Sequence, residues 1–312
     1  MEGVDGPPPG GPPLNAPDTP HVLPFTLEPL PPAPLKTVQE ILTATTAYLQ
    51  KHGVESPRLN AELLLAHVLA KKRIDLYLEF DRPLGDRELD PMRLLMKRRA
   101  TGEPLQHLLG TVEFHGRSFL CDRRALIPRP ETEHLVELLL ALPEKPARIL
   151  DAGTGSGVIA LTLAAEWPEA EVDAVDLSPE ALALATENAD RLGLTGRVRL
   201  ILSDLLAAVS GPYALIVANL PYIPAGEIPG LSREVRADPV SALDGGPDGA
   251  DVIRALLDQA RAHLSPGGMV ALEIGAGQSE MLMEHLRLLG YNHVRPAADY
   301  AGINRFLFAT HG

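Results

Sequence analysis

The chain has 312 residues, enough for two domains, and 45% of them are hydrophobic, so a sizeable core can be buried. With 41 acidic and 28 basic residues its net charge is −13, which argues against broad, charge-driven binding along a nucleic-acid backbone. One cysteine, Cys121, rules out a disulfide framework and a cysteine-based zinc site, and its position suggests a half-buried strand residue. No apolar run is long enough for a membrane span and no signal-peptide pattern opens the chain, so a cytoplasmic protein is expected.

Residues 1–35 are crowded with proline and glycine, from Pro7-Pro8-Pro9-Gly10-Gly11 to Pro31-Pro32-Ala33-Pro34, and predict an extended, disordered leader. From Lys36 the texture changes. Val38, Ile41, Leu42, Thr45, Tyr48 and Leu49 recur at helical spacing, and Gly53 suits the helix end. Ser56-Pro57 predicts a second helix with serine as N-cap and an apolar face through Leu59, Leu63, Ala66 and Leu69. Asp90-Pro91 reads as a third helix start, running through Leu94 and Leu95 to Lys97-Arg98-Arg99, a basic run expected on a solvated face. Residues 36–108 therefore read as a small helical bundle. Thr111–Phe114, His115-Gly116 and Arg117–Cys121 read as a β-hairpin, giving a linker over 109–126.

A third region, 127–312, opens with Ile127-Pro128-Arg129-Pro130-Glu131-Thr132-Glu133 and an apolar helix over Leu135–Leu142. Short strands then alternate with helices. The strands are expected at Arg148–Asp151, Glu171–Val175, Val198–Leu202, Leu215–Ala218, Met269–Ile274 and Phe306–Ala309. One helix is expected at Val158–Ala165 and another at Pro179–Leu192 behind the N-cap Ser178. Such alternation predicts an α/β domain with a mostly parallel sheet covered on both faces, whose ligands bind beyond the carboxyl ends of the strands.

Two motifs fall at those strand ends. The first is Asp151-Ala152-Gly153-Thr154-Gly155-Ser156-Gly157, whose glycines let backbone approach a ligand. Val158 occupies the last glycine position of a dinucleotide fingerprint, and no Gly-Lys-Ser/Thr ending follows. Asp151 would repel a pyrophosphate but suits a cofactor with a cationic amino-acid part, such as S-adenosylmethionine, directly or by supporting the loop. Asp176 ends the next strand, about 20 residues past the glycines, where an acid accepts from ribose hydroxyls. Asp204 ends the third and can accept from an adenine amine, with Leu205 covering the base. Each acid alone would more often be a helix cap; three at successive strand tips favour a nucleoside.

The second motif is Asn219-Leu220-Pro221-Tyr222 after the apolar run Tyr213–Ala218. An amide nitrogen is a weak nucleophile because its lone pair is delocalised. The Asn219 side-chain carbonyl and the Leu220 main-chain carbonyl can accept from both of its N–H groups, Pro221 stiffens the turn, and Tyr222 packs on the flat amide. The rate would then come from positioning and electrostatics. The bland alternative is a strand-end turn. No histidine spacing fits a metal and no Gly-x-Ser-x-Gly elbow is present. Gly245-Gly246-Pro247-Asp248-Gly249 reads as a plain turn, with a substrate-side flap as its alternative.

With these residues in view, the chain over 36–312 resembles the PrmC/HemK family, the peptide chain release factor protein-(glutamine-N5) methyltransferases. The resemblance is carried by Gly102-Glu103-Pro104-Leu105-Gln106-His107, Glu113-Phe114, Ile127–Glu133, Asp151–Gly157, Asn219–Tyr222, Ala242–Gly249 and Asp299-Tyr300-Ala301-Gly302 with Arg305. It implies a seven-stranded, Rossmann-like class I methyltransferase domain behind the helical bundle and hairpin linker. It implies S-adenosylmethionine held by Gly153–Gly157, Asp176, Asp204, Leu205 and Asn219. The implied substrate is the glutamine of the Gly-Gly-Gln motif in class 1 release factors, bound by a cytoplasmic monomer acting in translation termination, without direct nucleic-acid or membrane binding. The helical domain would help grip that protein. A ribosomal-protein glutamine and a nucleic-acid adenine are the alternative acceptors. Leu220 stands where the family usually has a proline, which retains the carbonyl and loosens the backbone.

Overall fold

The computed structural model describes residues 36–312 together with Gly3 and Gly6; the leader expected at 1–35 otherwise lies outside the described residues. Helix α1 (Val38–Lys51) opens on a capping box in which the Thr37 hydroxyl accepts from Glu40 N and the Glu40 carboxylate from Thr37 N. Its stripe Val38, Leu42, Thr45 and Leu49 is buried as the spacing predicts. Helix α2 (Pro57–Val68) departs from expectation. Ser56 is left-handed (φ 46°) and makes no cap bond. The helix buries Ala66 as expected, but otherwise Ala61, Leu64 and Leu65, and leaves Leu59 41% exposed. The cause is polar: Asn60 accepts from Arg99 Nε at 2.7 Å and Glu62 from Arg58 and Tyr77 at 2.6 Å, and these bonds turn their face inward.

A short helix α3 (Asp75–Leu78) precedes α4 (Asp86–Ala100), which starts before the expected Asp90-Pro91. Glu88 caps it by accepting from Gly85 N at 3.0 Å, and Leu89, Met92 and Leu95 bury at helical spacing. Pro91 is thus inside the helix, where its ring removes one backbone donor. Arg99 of the basic run is not solvated; it is 3% exposed. Helix α5 (Leu105–Leu109) closes this group, and Leu108 joins α1, α2 and α4 in one apolar cluster.

Strands β1 (Thr111–Phe114) and β2 (Arg117–Leu120) form the predicted antiparallel hairpin. Cys121 lies one residue beyond β2 and is fully buried, not half-buried, which pushes its thiol up to about 12. Helix α6 (Pro130–Leu140) starts earlier than expected, with proline in its first turn. There follow β3 (Arg148–Ala152), α7 (Val158–Glu166), β4 (Glu171–Asp176), α8 (Pro179–Arg191), β5 (Val198–Leu202) and β6 (Tyr213–Asn219). After α9 (Asp251–His263) come β7 (Leu264–Glu273), α10 (Ser279–Leu288), β8 (Tyr291–Ala298) and β9 (Asn304–His311). Ser178 caps α8 as predicted, accepting from Ala181 N.

The seven strands β3–β9 form one sheet in the order β5-β4-β3-β6-β7-β9-β8, parallel except for the pairings of β9. Strand β8 escapes the sequence pattern because it lies at the sheet edge, where Pro296 is tolerated, and its register shifts between Asn292 and Arg295. Alternate residues face opposite sides: Ile149 packs in the cluster under α6 and α7, and Leu150 in the one under α9 and α10. The strand order turns between β3 and β6. Their register pairs Ala152 with Ala218, so Gly153 and Asn219 leave the sheet side by side at one rim.

Candidate active site

A cavity of about 670 Å³ opens at that rim. It lies in the crevice expected for ligands of such sheets. Gly153, Thr154, Gly155 and Ser156 line it, as do Asp176, Asp204, Leu205, Asn219, Leu220 and Pro221. Gly157 and Tyr222 are not among its lining residues. Gly157 instead begins α7 at φ +84°, where a Cβ would meet Leu161 and Ala185 at 3.0 and 3.2 Å, so glycine there serves close helix packing.

The glycine loop is organised by Asp151. Its carboxylate is fully buried, accepts from Thr154 Oγ1 at 2.7 Å and from Ala160 N at 3.1 Å, and does not line the cavity. Of the two roles expected for Asp151, the geometry supports the loop. Its Oδ1 has no hydrogen bond, and burial pushes its carboxyl up to about 7. Asp176 accepts from Gly155 N (2.8 Å) and Ser178 N (2.9 Å), locking the loop to the end of β4. Burial raises its carboxyl as well. Asp204 is exposed on the rim, and Leu205 beside it holds a left-handed backbone (φ 46°) that Ser203 pins by donating to the Leu205 carbonyl at 2.8 Å. Strain of this kind in a non-glycine residue is retained where neighbours fix it.

The donor set decides what fits. Acceptor carboxylates and apolar walls (Leu177, Val175, Ile159, Leu205) dominate the cavity. The one arginine that lines it among the described residues, Arg124, is already paired with Asp122 and Glu187. That suits a nucleoside with a cationic appendage and disfavours a pyrophosphate. The volume is in the ~300–1,000 Å³ range of small-molecule sites.

At the Asn219 end the side chains form a directed chain. Asn219 Nδ2 donates to Thr132 Oγ1 at 2.8 Å, and Thr132 Oγ1 donates to Glu273 Oε2 at 2.7 Å. The threonine proton is committed to the carboxylate, so its oxygen can only accept from asparagine. The Asn219 amide is therefore held with nitrogen inward, and its Oδ1 makes no hydrogen bond among the described residues. Tyr222 reaches the other Glu273 oxygen at 3.4 Å. Glu273 is 1% exposed, and burial pushes its carboxyl up to about 7. Burial likewise pushes the Tyr222 hydroxyl up to about 12.

Leu220 turns its side chain over the glycine loop: a Cβ on Gly153 would lie 2.7 Å from Leu220 Cδ2. The 245–249 segment contains the expected turn, closed by Gly249 N donating to Gly246 O at 3.1 Å, and is also tied to its neighbours. It pairs with the tetrapeptide's exit through Gly245 N to Ile223 O and Ile223 N to Leu243 O, both near 3 Å. A Cβ on Gly249 would fall 2.3 Å from the Tyr222 carbonyl. Thr132 and Glu273 were not foreseen as site residues. The signal for Thr132 was the run 127–133, several of whose residues are tied down: Ile127 N and Arg129 both donate to Asp238, and Glu133 accepts from His115 N at the hairpin turn. Glu273 had no signal beyond being an acid at the end of an apolar strand.

The chain matches known proteins along most of its length. A family model described as the PrmC N-terminal domain matches residues 40–110, and one described as the methyltransferase small domain matches residues 132–230. The release factor glutamine methyltransferase of Deinococcus radiodurans is 45% identical over 276 residues, covering 87% of this chain and 98% of the relative. That of Geobacter sulfurreducens is 42% identical over 271 residues, covering 86% and 95%. Among solved structures, the hMettl16 catalytic domain in complex with MAT2A 3′UTR hairpin 1 matches with a TM-score of 0.53 at 18% identity, covering 70% of this chain and 81% of that one. At that identity the likeness is one of fold alone.

Proposed function

Because this chain belongs to the release factor glutamine methyltransferase family, we propose that its S-adenosylmethionine-dependent reaction methylates the side-chain amide nitrogen (N5) of the glutamine in the Gly-Gly-Gln motif of class 1 release factors. The observation that carries the site assignment is the fixed amide of Asn219, nitrogen on Thr132 and oxygen unengaged, beside the glycine loop.

S-adenosylmethionine, when bound, supplies an electrophilic methyl on a sulfonium. Gly153, Thr154, Gly155 and Ser156 would hold its amino-acid part, Asp176 its ribose, and Asp204 and Leu205 its adenine. Gly157 contributes by seating α7 against the loop. Asn219 Oδ1 and the Leu220 carbonyl accept from the two N–H groups of the substrate amide. Those bonds hold electron density on nitrogen and aim it. Pro221 and the braced 245–249 segment keep the two acceptors still, and Tyr222 packs against the amide from outside the cavity. Leu220, where a proline would have stiffened the backbone, fills the space over Gly153 with its side chain. Thr132, at the cavity wall, and Glu273, buried behind it, are positioning residues that set which way Asn219 faces. Such a site rejects a glutamate, since its acceptors would face oxygen, and sites of this type discriminate by ~10⁴ or more. The enzyme acts as a cytoplasmic monomer on a protein, without nucleic acid. The ribosomal-protein and adenine alternatives have no comparable support.

The test is mass spectrometry of a class 1 release factor co-expressed with this chain. One added methyl is expected on the glutamine after Gly-Gly, and it should vanish with Asn219→Ala. Label entering nucleic acid and not the factor would overturn the assignment.

A further inference from the structure

A second groove, of about 710 Å³, lies where α4 and α5 meet the 231–237 segment. Four arginines line it, Arg98, Arg123, Arg233 and Arg236, with one carboxylate, Glu103. Glu103 is consumed by Arg98 in a two-bond pair at 2.8 and 2.5 Å. The guanidinium groups of Arg123, Arg233 and Arg236 make no salt bridge or hydrogen bond among the described residues, and all three are exposed. His107 also lines the groove, with a buried Nε2 that has no partner among the described residues.

The groove is built on a fixed frame. Arg99, buried beneath it, donates to Asn60 Oδ1 (2.7 Å), to the Glu103 carbonyl (3.1 Å) and to Glu234, tying α2 and α4 to the 231–237 segment. Asp238 anchors the segment's far end through Ile127 N and Arg129. Arg233 packs its stem on Gly102, where a Cβ would lie 2.9 Å from Arg233 Cβ. Unpaired cations fixed close together repel one another, and an anion from outside relieves that repulsion. A cluster of cations here runs against the chain's overall charge of −13.

We propose that this groove is a docking site for an acidic segment of the protein substrate, separate from the grip on its glutamine. The proposal rests on the release factor reading given above. A few carboxylates match three guanidinium forks. A nucleic-acid backbone would need a basic surface extending well past one groove, on a chain whose net charge is −13. The location fits a substrate spanning both sites. Arg124 and Ala125, next to Arg123, and Pro239, two residues past Ala237, line the cofactor cavity.

The experiment compares wild type with an R123E/R233E/R236E variant, using a full-length class 1 release factor as probe. Affinity is measured by direct binding and turnover by methyl transfer. Charge reversal is expected to weaken binding and raise KM by roughly tenfold or more. It should leave kcat and S-adenosylmethionine affinity within about twofold, and abolish the salt dependence of binding. Circular dichroism and melting should be unchanged, since none of the three guanidinium groups has a partner to lose. Unaltered KM and binding overturn the proposal, and so does a single-stranded RNA that binds wild type and not the variant. A wild-type chain that methylates the factor despite an ineffective variant leaves the function standing; one that neither binds nor methylates it removes both readings.

Discussion

Asp151 and Glu273 are both acids buried at the carboxyl ends of strands in one sheet, and burial pushes both up to about 7. Both accept from a threonine hydroxyl at 2.7 Å. Their bonds lead to different places. Asp151 holds Thr154 and the first turn of α7, so it shapes backbone that lines the cavity. Glu273 holds Thr132, which holds Asn219, so it orients one side chain. The same local chemistry organises the glycine loop at one end of the cavity and the Asn219 amide at the other. Damage at the first end should show in cofactor affinity, and damage at the second in turnover.

The largest effects should come from the residues assigned to ligands. Asn219→Ala should lower kcat by ~10²–10³ or more, as loss of an aimed polar group does, and keep cofactor affinity within a few-fold. Asp176→Ala should do the reverse, weakening cofactor binding about tenfold or more by loss of a charge-assisted acceptor. Single-turnover rates and calorimetric titration separate the two, and a shared loss of both quantities in each variant would erase the distinction.

The two threonines give a finer contrast. Thr132→Val leaves a donor of Asn219 unsatisfied at a cost of ~1–3 kcal/mol, so kcat should fall roughly 10- to 100-fold with cofactor affinity preserved. Thr132→Ser should restore it, since the hydroxyl returns. Thr154→Val should instead loosen the glycine loop and raise the cofactor dissociation constant. If Thr132→Ser stays as slow as valine, packing and not the hydrogen bond explains Thr132.

The smallest effect is a pH dependence. Glu273 is raised in the fold, so its neutral form is favoured there: the penalty is absent below about 4.5, grows as pH rises, and is complete above about 7. Stability should therefore decline across that window, and Glu273→Gln should flatten this part of a melting-temperature profile. In turnover the sign is opposite. Ionised Glu273 commits the Thr132 proton and hence the orientation of Asn219, so kcat should rise through about pH 7. A rise that persists unchanged in Glu273→Gln would assign it to another group.

Much of this was legible in the chain. The alternation of short apolar runs with helices set out six of the seven strands, and the glycine loop and Asn219-Leu220-Pro221-Tyr222 stood out because glycine and proline mark backbone that side-chain burial alone does not require. Periodicity placed α2 but misassigned part of its buried face, because two leucine stripes compete there and the buried Asn60–Arg99 bond, spanning α2 and α4, decides between them. It also misread Arg99 as solvated, since a basic residue carries no local sign of a partner far along the chain.

Local chemistry thus fixed the elements and the strand-tip motifs: spacing, caps and turns act between near neighbours, and near neighbours are what a sequence displays. Tertiary structure alone decided that Thr132 and Glu273, 141 positions apart, share a proton. It alone brought to one groove three arginines that are unpaired among the described residues. Hydrogen bonds and charges act through a few ångströms of space, and the fold determines which distant residues come within that reach.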